Sequence, residues 1–517
     1  MCNHEDNDST INVNESSTTT SNINKESTNM RTPLHSQHGN VKEQTVDEAI
    51  ESVGFGKFQF IALFAAGFCF MADSMEVGLL AFLSIVLKHE WGLTSAQAAT
   101  MTALVFVGEF IGTLSIGRLG DIYGRRPMFL AAGTIICVAG STTALAQNFS
   151  QVCVIQFFVG VGIGGLTVPF DIFAEFLPSS RRGRYLMYIN YFWGMGSISV
   201  IILAYITLGF GYSWRWFVLL NAIPSFISVV MCYIFIPESP RWLMTKNQID
   251  ESIAILRKVA KINGKNPDEY FNVDHGYSLR NDVIESSRFS DLLTPKWRKI
   301  TLLLWGLWFG FGFSYNGLCL AIPRVFDSSD DGSGTFDEDE SPSFNFQALA
   351  VSAAAEMIGT LISALVVDSF GRIGPQVVGF ALSGFLVFFL LWFAHSSPVW
   401  LLTILALGAR TFEVGASSLS WVITAEVLPT ELRSTGHSTA NAVCRLGAIL
   451  TSYAVEGGTS LASIAIIMVF VHVFTIFCVS QLPETKGRAL GQHGSDAIVE
   501  NDLQNDSGDT LNLPLLS

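Results

Sequence analysis

Twelve apolar stretches, each long enough to cross a bilayer, follow one another along this 517-residue chain. A helix needs about 20 residues to span the hydrocarbon of a membrane. The stretches fall at roughly 58–87, 97–118, 127–147, 152–174, 185–210 and 216–236, then at roughly 298–322, 344–367, 374–394, 399–423, 437–457 and 460–481. Lipid offers backbone groups no hydrogen-bond partner, so each stretch is expected to be helical. Only 14% of the residues are charged, against about 25% in soluble domains, which excludes a soluble enzyme. The reading is an all-α membrane protein of twelve transmembrane helices in two six-helix bundles, at 58–236 and 298–482, joined by a polar linker at 237–297. Seventeen of the first thirty residues are Ser, Thr or Asn, a composition that supports no core, so 1–57 reads as a disordered tail. Residues 483–517 form an acidic second tail.

The basic residues orient this array. Lys and Arg concentrate on the cytoplasmic side of membrane proteins. With the first residue placed in the cytoplasm, 25 of the 30 basic residues fall in cytoplasmic segments and only Lys88, Arg215 and Arg324 in external loops. Arg410 and Arg445 lie inside spans. Both ends and the linker are therefore expected in the cytoplasm, and the segment 327–340, with seven acids and no base, outside it. The net charge of −14 comes from the tails and this loop, and argues against a nucleic-acid partner. Eight Cys are scattered without any Cys-x-x-Cys or Cys–His spacing, so no metal and no cofactor is called for.

The two halves repeat. Gly117-Arg-Leu-Gly-Asp121-Ile-Tyr-Gly124-Arg125-Arg126 follows the second span, and Asp368-Ser-Phe-Gly371-Arg372 follows the eighth, 247 positions later. Ala174-Glu175-Phe-Leu-Pro178 with Arg182 recurs as Ala425-Glu426-Val-Leu-Pro429 with Arg433, and Pro237-Glu238-Ser recurs as Pro483-Glu484-Thr. Three motifs in one order at nearly one offset imply a duplicated six-helix unit with one membrane orientation. The second copy has Ala364 for the opening Gly and Ile373 for the second Arg. Gly160-Val-Gly162-Ile-Gly164-Gly165 sits inside a span, where close helix packing is the better reading than a dinucleotide site.

These motifs resemble the major facilitator superfamily over about 58–488. Pro-Glu-Ser-Pro-Arg-Trp-Leu at 237–243 and Pro-Glu-Thr-Lys-Gly at 483–487 are similar to its sugar-porter-like branch. Asp73-Ser-Met-Glu76, Glu175-Phe-Leu-Pro-Ser179 and Arg445-Leu-Gly-Ala are similar to the synaptic vesicle 2-related group within it. The resemblance implies a cytoplasmic gate in which Asp121, Arg125 and Arg126 meet Glu175 and Arg182. A second cluster would hold Asp368, Arg372, Glu426 and Arg433. Positive-inside anchoring without a gating role is the simpler alternative.

Ionisable residues inside spans are costly and mark functional sites or helix-to-helix contacts. Asp73 and Glu76 lie three residues apart, on one helix face. Glu356 is central in the eighth span, Arg410 and Glu413 share a face of the tenth, and Asn441 shares one with Arg445 in the eleventh. Glu109 and Asp171 are further buried acids. The family resemblance implies an Arg where Gln156 stands, which would leave Asp73 without a cation. Sugar porters carry paired Gln in the seventh helix, where this chain reads Ser314-Tyr315-Asn316, so a sugar or polyol carrier is the second reading. The first is a monomeric, proton-coupled secondary transporter of a small polar or ionic metabolite, working by alternating access. A receptor or scaffold without transport is the rival from another class.

Single-cysteine labelling on a cysteine-free background tests the orientation. A probe at 333 should react from outside the intact cell and a probe at 270 should not. Labelling at 270 would reverse the topology.

Overall fold

In the computed structural model, residues 43–179, 182–271, 277–280, 289–327 and 344–486 are described, without the side chains at 43, 183, 184, 368, 430, 431 and 434. Most of both tails, most of the acidic segment 327–340 and the side chain of Asp368 therefore lie outside the described residues.

Regular structure is present before residue 57. Strand β1 (Glu43–Thr45) leads into helix α1 (Val46–Val53). Thr45 caps that helix: its hydroxyl accepts from the Glu48 N–H while the Glu48 carboxylate accepts from the Thr45 N–H. Residues 43–56 are thus ordered, which corrects the expectation of a disordered tail to 57. Ala49, Ile50 and Val53 are buried on one face of α1.

The first half comprises α2 (Lys57–Trp91), α3 (Ser95–Tyr123), α4 (Arg125–Thr143), α5 (Phe149–Gly164) continued by α6 (Thr167–Glu175), α7 (Arg182–Thr207), and α8 (Trp214–Asn221) continued by α9 (Ile223–Phe235). The linker folds as α10 (Pro240–Thr245), α11 (Ile249–Ile262), α12 (Pro267–Tyr270), strand β2 (Ser278–Arg280) and a 3-10 turn at Phe289–Leu293. The second half comprises α13 (Arg298–Val325), α14 (Phe346–Phe370), α15 (Ile373–Trp392), α16 (Val399–Val427), α17 (Thr430–Glu456) and α18 (Leu461–Ser480). Among the described residues nine helical spans are long and apolar enough to cross a membrane. The remaining long helices, α4, α13 and α17, are more polar and complete the twelve.

Helix packing repeats between halves. The pairs α2–α7, α2–α9, α3–α5, α4–α5 and α4–α9 have counterparts in α13–α17, α13–α18, α14–α16, α15–α16 and α15–α18. The halves meet along α3–α17, α7–α14 and α2–α13. The first two of these exchange under the same pseudo-two-fold relation.

Glycine sets the closest approaches. A Cβ on Gly160 would run into the Val105 carbonyl, and one on Gly108 into the Phe157 carbonyl, so α3 and α5 touch backbone to backbone. Gly359 meets the Thr411 carbonyl in the matching α14–α16 contact. This is the packing role expected of the glycine run in the fourth span.

The apolar clusters are distributed unevenly. At the end remote from the linker one cluster joins both halves, with Phe82, Trp214 and Phe217 beside Leu318, Ile322 and Met468. At the linker end each half keeps its own cluster, around Phe129 and Phe173 in one and Trp308 and Phe380 in the other. Across that end the rings of Phe170 and Trp421 approach to 6.1 Å. Large apolar side chains such as Leu365, Phe470 and Phe477 point outward and exposed, as a lipid-facing surface requires.

Strand β1 pairs in parallel with β2, and the buried face of α1 packs on α11, which buries Ile253, Leu256 and Val259. The segment 43–53 is thus built into the linker.

Gly160→Ala should lower the melting temperature of the detergent-solubilised protein, since overpacking of this kind costs roughly 1–3 kcal/mol. Gly140→Ala is the control, because a Cβ there meets only Ala222 at 3.9 Å. Equal melting temperatures for the two variants would count against backbone contact as the constraint.

Candidate functional site

Two polar groups fill the region where the halves meet. In the first, Arg445 on α17 reaches across to the first half. Its Nη1 lies 2.6 Å from Glu109 Oε2 on α3, and its Nη2 3.8 Å from Asp73 Oδ2 on α2. Asp73 and Glu109 are buried, Glu109 to 1% exposure, and Arg445 is partly buried. Glu76, one turn along α2, is buried beside Gln156 of α5. This corrects the expectation that Asp73 lacks a cation. The cation comes from the other half, and Gln156 serves Glu76 rather than Asp73.

In the second group Glu356 on α14 is fully buried and ion-paired with Arg410 on α16. Tyr315 of α13 donates to Glu356 Oε1 at 3.0 Å. From the opposite half Ser197 of α7 donates to Glu356 Oε2 at 2.5 Å, and Ser74 of α2 lies 2.8 Å from Ser197. Trp193 donates to the Tyr315 hydroxyl at 2.6 Å. Ser74, Ser197, Tyr315, Cys319 and Arg410 border a cavity of about 30 Å³, room for water but not for a metabolite.

The other candidates within the membrane lie apart from these groups. Glu413 faces the interior of the second half, where it accepts from Ser314 and from Ser383 at 2.7 Å, and lies 3.1 Å from His472 Nε2. It shares a helix face with Arg410 but no partner. Asn316 donates to the Gly312 carbonyl of its own helix at 2.8 Å. Glu109 is the residue whose weight sequence reading missed. A signal existed: Glu109 and Glu356 are separated by the same 247 positions as the repeated motif. His472, Ser74 and Ser197 carry no comparable signature.

At the linker end, Arg125 opens α4 and binds three carboxylates. It lies 2.8 Å from Asp121, 3.3 Å from Asp171 and 3.2 Å from Glu175. Arg126 instead donates to the Tyr233 carbonyl at 2.9 Å, and Arg182 lies 3.3 Å from Asp47 of α1. The expected meeting of Arg126 and Arg182 with this cluster is therefore not found. Asp47 also pairs with Arg241, so α1 ties the entry of α7 to the linker.

The matching cluster is built around Arg372. Arg372 binds Glu426 through two bonds of 2.9 and 2.8 Å. Arg433 sits in the first turn of α17. Glu238 accepts the backbone N–H groups of Arg125 and Arg126, and Glu484 those of Arg372 and Ile373, so a carboxylate caps the positive end of α4 and of α15. Ile373 in place of the second Arg keeps this arrangement, because the cap uses its N–H and not its side chain. Gly124 (φ 113°) and Gly371 (φ 85°) adopt backbone that disfavours other residues, and a Cβ on either would strike the capping carboxylate. Gly117 packs close to Thr167. Among the described residues, the side-chain partners of Arg125 and of Arg372 each come from the same half as the arginine.

The two caps are shifted in opposite directions. Burial pushes the Glu238 carboxyl above its ordinary range, three backbone N–H donors notwithstanding. Burial acts the same way on Glu484, but donors from Ile373, Arg372, Lys486 and Thr485 outweigh it and hold that carboxyl below the ordinary range.

Two six-helix halves on one pseudo-two-fold plan, with charge buried between them, define a membrane transporter of the major facilitator type. Residues 45–495 match the family described as Sugar (and other) transporter, and the chain belongs to that family. It is 30% identical over 459 residues to the synaptic vesicle 2-related protein of Rattus norvegicus, covering 86% of this chain and 82% of that one. It is also 30% identical over 482 residues to organic cation/carnitine transporter 7 of Arabidopsis thaliana, covering 86% and 95%. The inward open xylose transporter XylE from E. coli shares the fold, with a TM-score of 0.63 at 18% identity over 83% of this chain and 97% of that one.

Glu484→Gln checks the cap. A carboxyl held below its ordinary value contributes stability above the unfolded value, near 4.5, and loses it as pH falls through the folded one. The variant should melt lower than the parent at pH 7, with the gap closing below pH 4.5. A gap that stays constant with pH would mean the charge is not its source.

Proposed function

We propose that this protein is a proton-coupled secondary transporter of a small polar or ionic metabolite, working by alternating access. The observation that carries the reading is charge at the meeting of the halves: Asp73, Glu76 and Glu109 lie near one another, and the cation Arg445 pairs with Asp73 and Glu109. Buried carboxylates without counter-ions cost several kcal/mol, so a surplus of acids in the low-dielectric interior calls for a proton or another cation. Glu76 is assigned the proton. Its side-chain partner Gln156 is neutral, and its Oε1 is buried without a hydrogen-bond partner.

Two further features support the cycle. Apolar packing unites the halves at one end and leaves them separately packed at the other. With both chain ends in the cytoplasm, the united end is external and this state faces inward. The Arg125 and Arg372 clusters, each internal to its half, brace the helices that would move together. The several acids buried at the centre favour this reading over a sugar or polyol carrier. A scaffold without transport has no use for buried acids that exceed their cations.

The test is uptake of a labelled metabolite panel into proteoliposomes with an imposed pH gradient. Glu76→Gln should abolish accumulation against the substrate gradient and leave downhill exchange. If the variant accumulates substrate with unchanged pH dependence, the proton assignment is wrong.

A further inference from the structure

We propose that Arg445 is a resident counter-ion which a protonated amine displaces, so that the site formed by Asp73 and Glu109 takes a small organic ammonium ion as substrate. This rests on the transporter reading above and names its substrate class.

The two carboxylates and the guanidinium belong to different halves. Asp73 and Glu109 stand on α2 and α3, and Arg445 stands on α17. Any separation of the halves at this depth draws the guanidinium away from both acids. The first half has nothing to replace it: its Lys and Arg residues all lie at the ends of its spans, from Lys57 to Arg215. Buried carboxylates left without a cation are strongly destabilised. The halves therefore part readily only when another positive group occupies the position.

An ammonium ion fits that position. Its N–H groups can satisfy Glu109 Oε2, which holds Arg445 at 2.6 Å, and Asp73 Oδ1, which is buried without a hydrogen-bond partner. A sugar would supply hydroxyls but no charge, and an anion would add to the surplus. The carbon body of the amine has a wall nearby. Val77, one residue beyond Glu76, packs with Tyr315, Cys319 and Val414, flanked by Trp193 and Phe311. Exchange between guanidinium and ammonium also makes substrate binding and the opening of the halves one event.

Tyramine and tyrosol, which differ only by an ammonium in place of a hydroxyl, are the probes, with binding to the purified full-length protein measured by calorimetry. Tyramine should bind and tyrosol should not. Arg445→Met removes the competitor and should tighten tyramine about tenfold or more, while Glu109→Gln should weaken it about as much. A folded Arg445→Met protein that binds tyramine no better than the parent overturns the proposal, as does equal binding of tyrosol. Should Arg445→Met fail to fold, Glu109→Gln decides, and unchanged tyramine affinity in that variant overturns it. Accumulation of a neutral solute on a pH gradient, without competition by tyramine, would sink the amine assignment alone. Tyramine binding as described with no solute ever accumulated would sink the transport reading alone.

Discussion

Arg445 and Glu109 meet 2.6 Å apart between two helical halves, with little water to share the charge. Much of the architecture is arranged around that pair. Removing either partner leaves a buried charge uncompensated, so the helices that bear them, α3 and α17, are held at one depth and one rotation. The α3–α17 contact continues away from the linker, where Tyr453 lies 3.4 Å from Thr100 and Gly458 abuts Ser95. The apolar cluster common to both halves begins there. Ion pair and apolar seal thus lie along one interface and reinforce each other. The seal excludes water from the pair, and the pair fixes the register in which the seal packs.

The linker end follows a different logic. There the described ionic groups bind within each half and cap helix termini, and the rings of Phe170 and Trp421 approach each other across the halves. A carboxylate from the end of each half turns back onto the first N–H groups of its third long helix. That closes each six-helix unit on itself. In the first half the folded segment 43–56 adds a further tie, through Asp47 to Arg182 and Arg241 and through β1 to the linker. Helices α10 to α12 of the linker thus belong with the first half, while the 3-10 turn at its end packs on the second, where Leu292 is buried beside Trp297.

Span positions and the internal repeat were legible because both rest on local composition and fixed spacing. Partners across the halves were not. Nothing in the neighbourhood of Asp73 announces Arg445, whose pairing depends on how α17 rotates against α2 and α3. Spacing also misdirected Arg126 and Arg182. A basic residue in a motif has many acids within reach, and only the packed geometry selects Tyr233 or Asp47. The order from residue 43 was hidden by the Ser, Thr and Asn that precede it. Its signals were the Thr45–Glu48 capping pair and the spacing of Ala49, Ile50 and Val53. The glycine run of the fourth span could be read because only backbone contact between helices makes such a run useful.

Duplication and use have diverged at one pair of positions. Glu109 and Glu356 are equivalent in the repeat, and both face the interface from the second long helix of their half. Their cations are not equivalent. Glu356 draws Arg410 from its own half and receives only hydroxyl hydrogen bonds from the other, through Ser197. Glu109 draws Arg445 from the opposite half. Parting the halves costs the Glu356 group the hydrogen bonds from Ser197 to Glu356 and from Trp193 to Tyr315, and leaves its charge balanced. The same movement costs the Glu109 group its counter-ion. A fold built from two like units therefore places its charge-sensitive contact on one side only. That asymmetry is what the proposed exchange of Arg445 for a cation on the first half rests on.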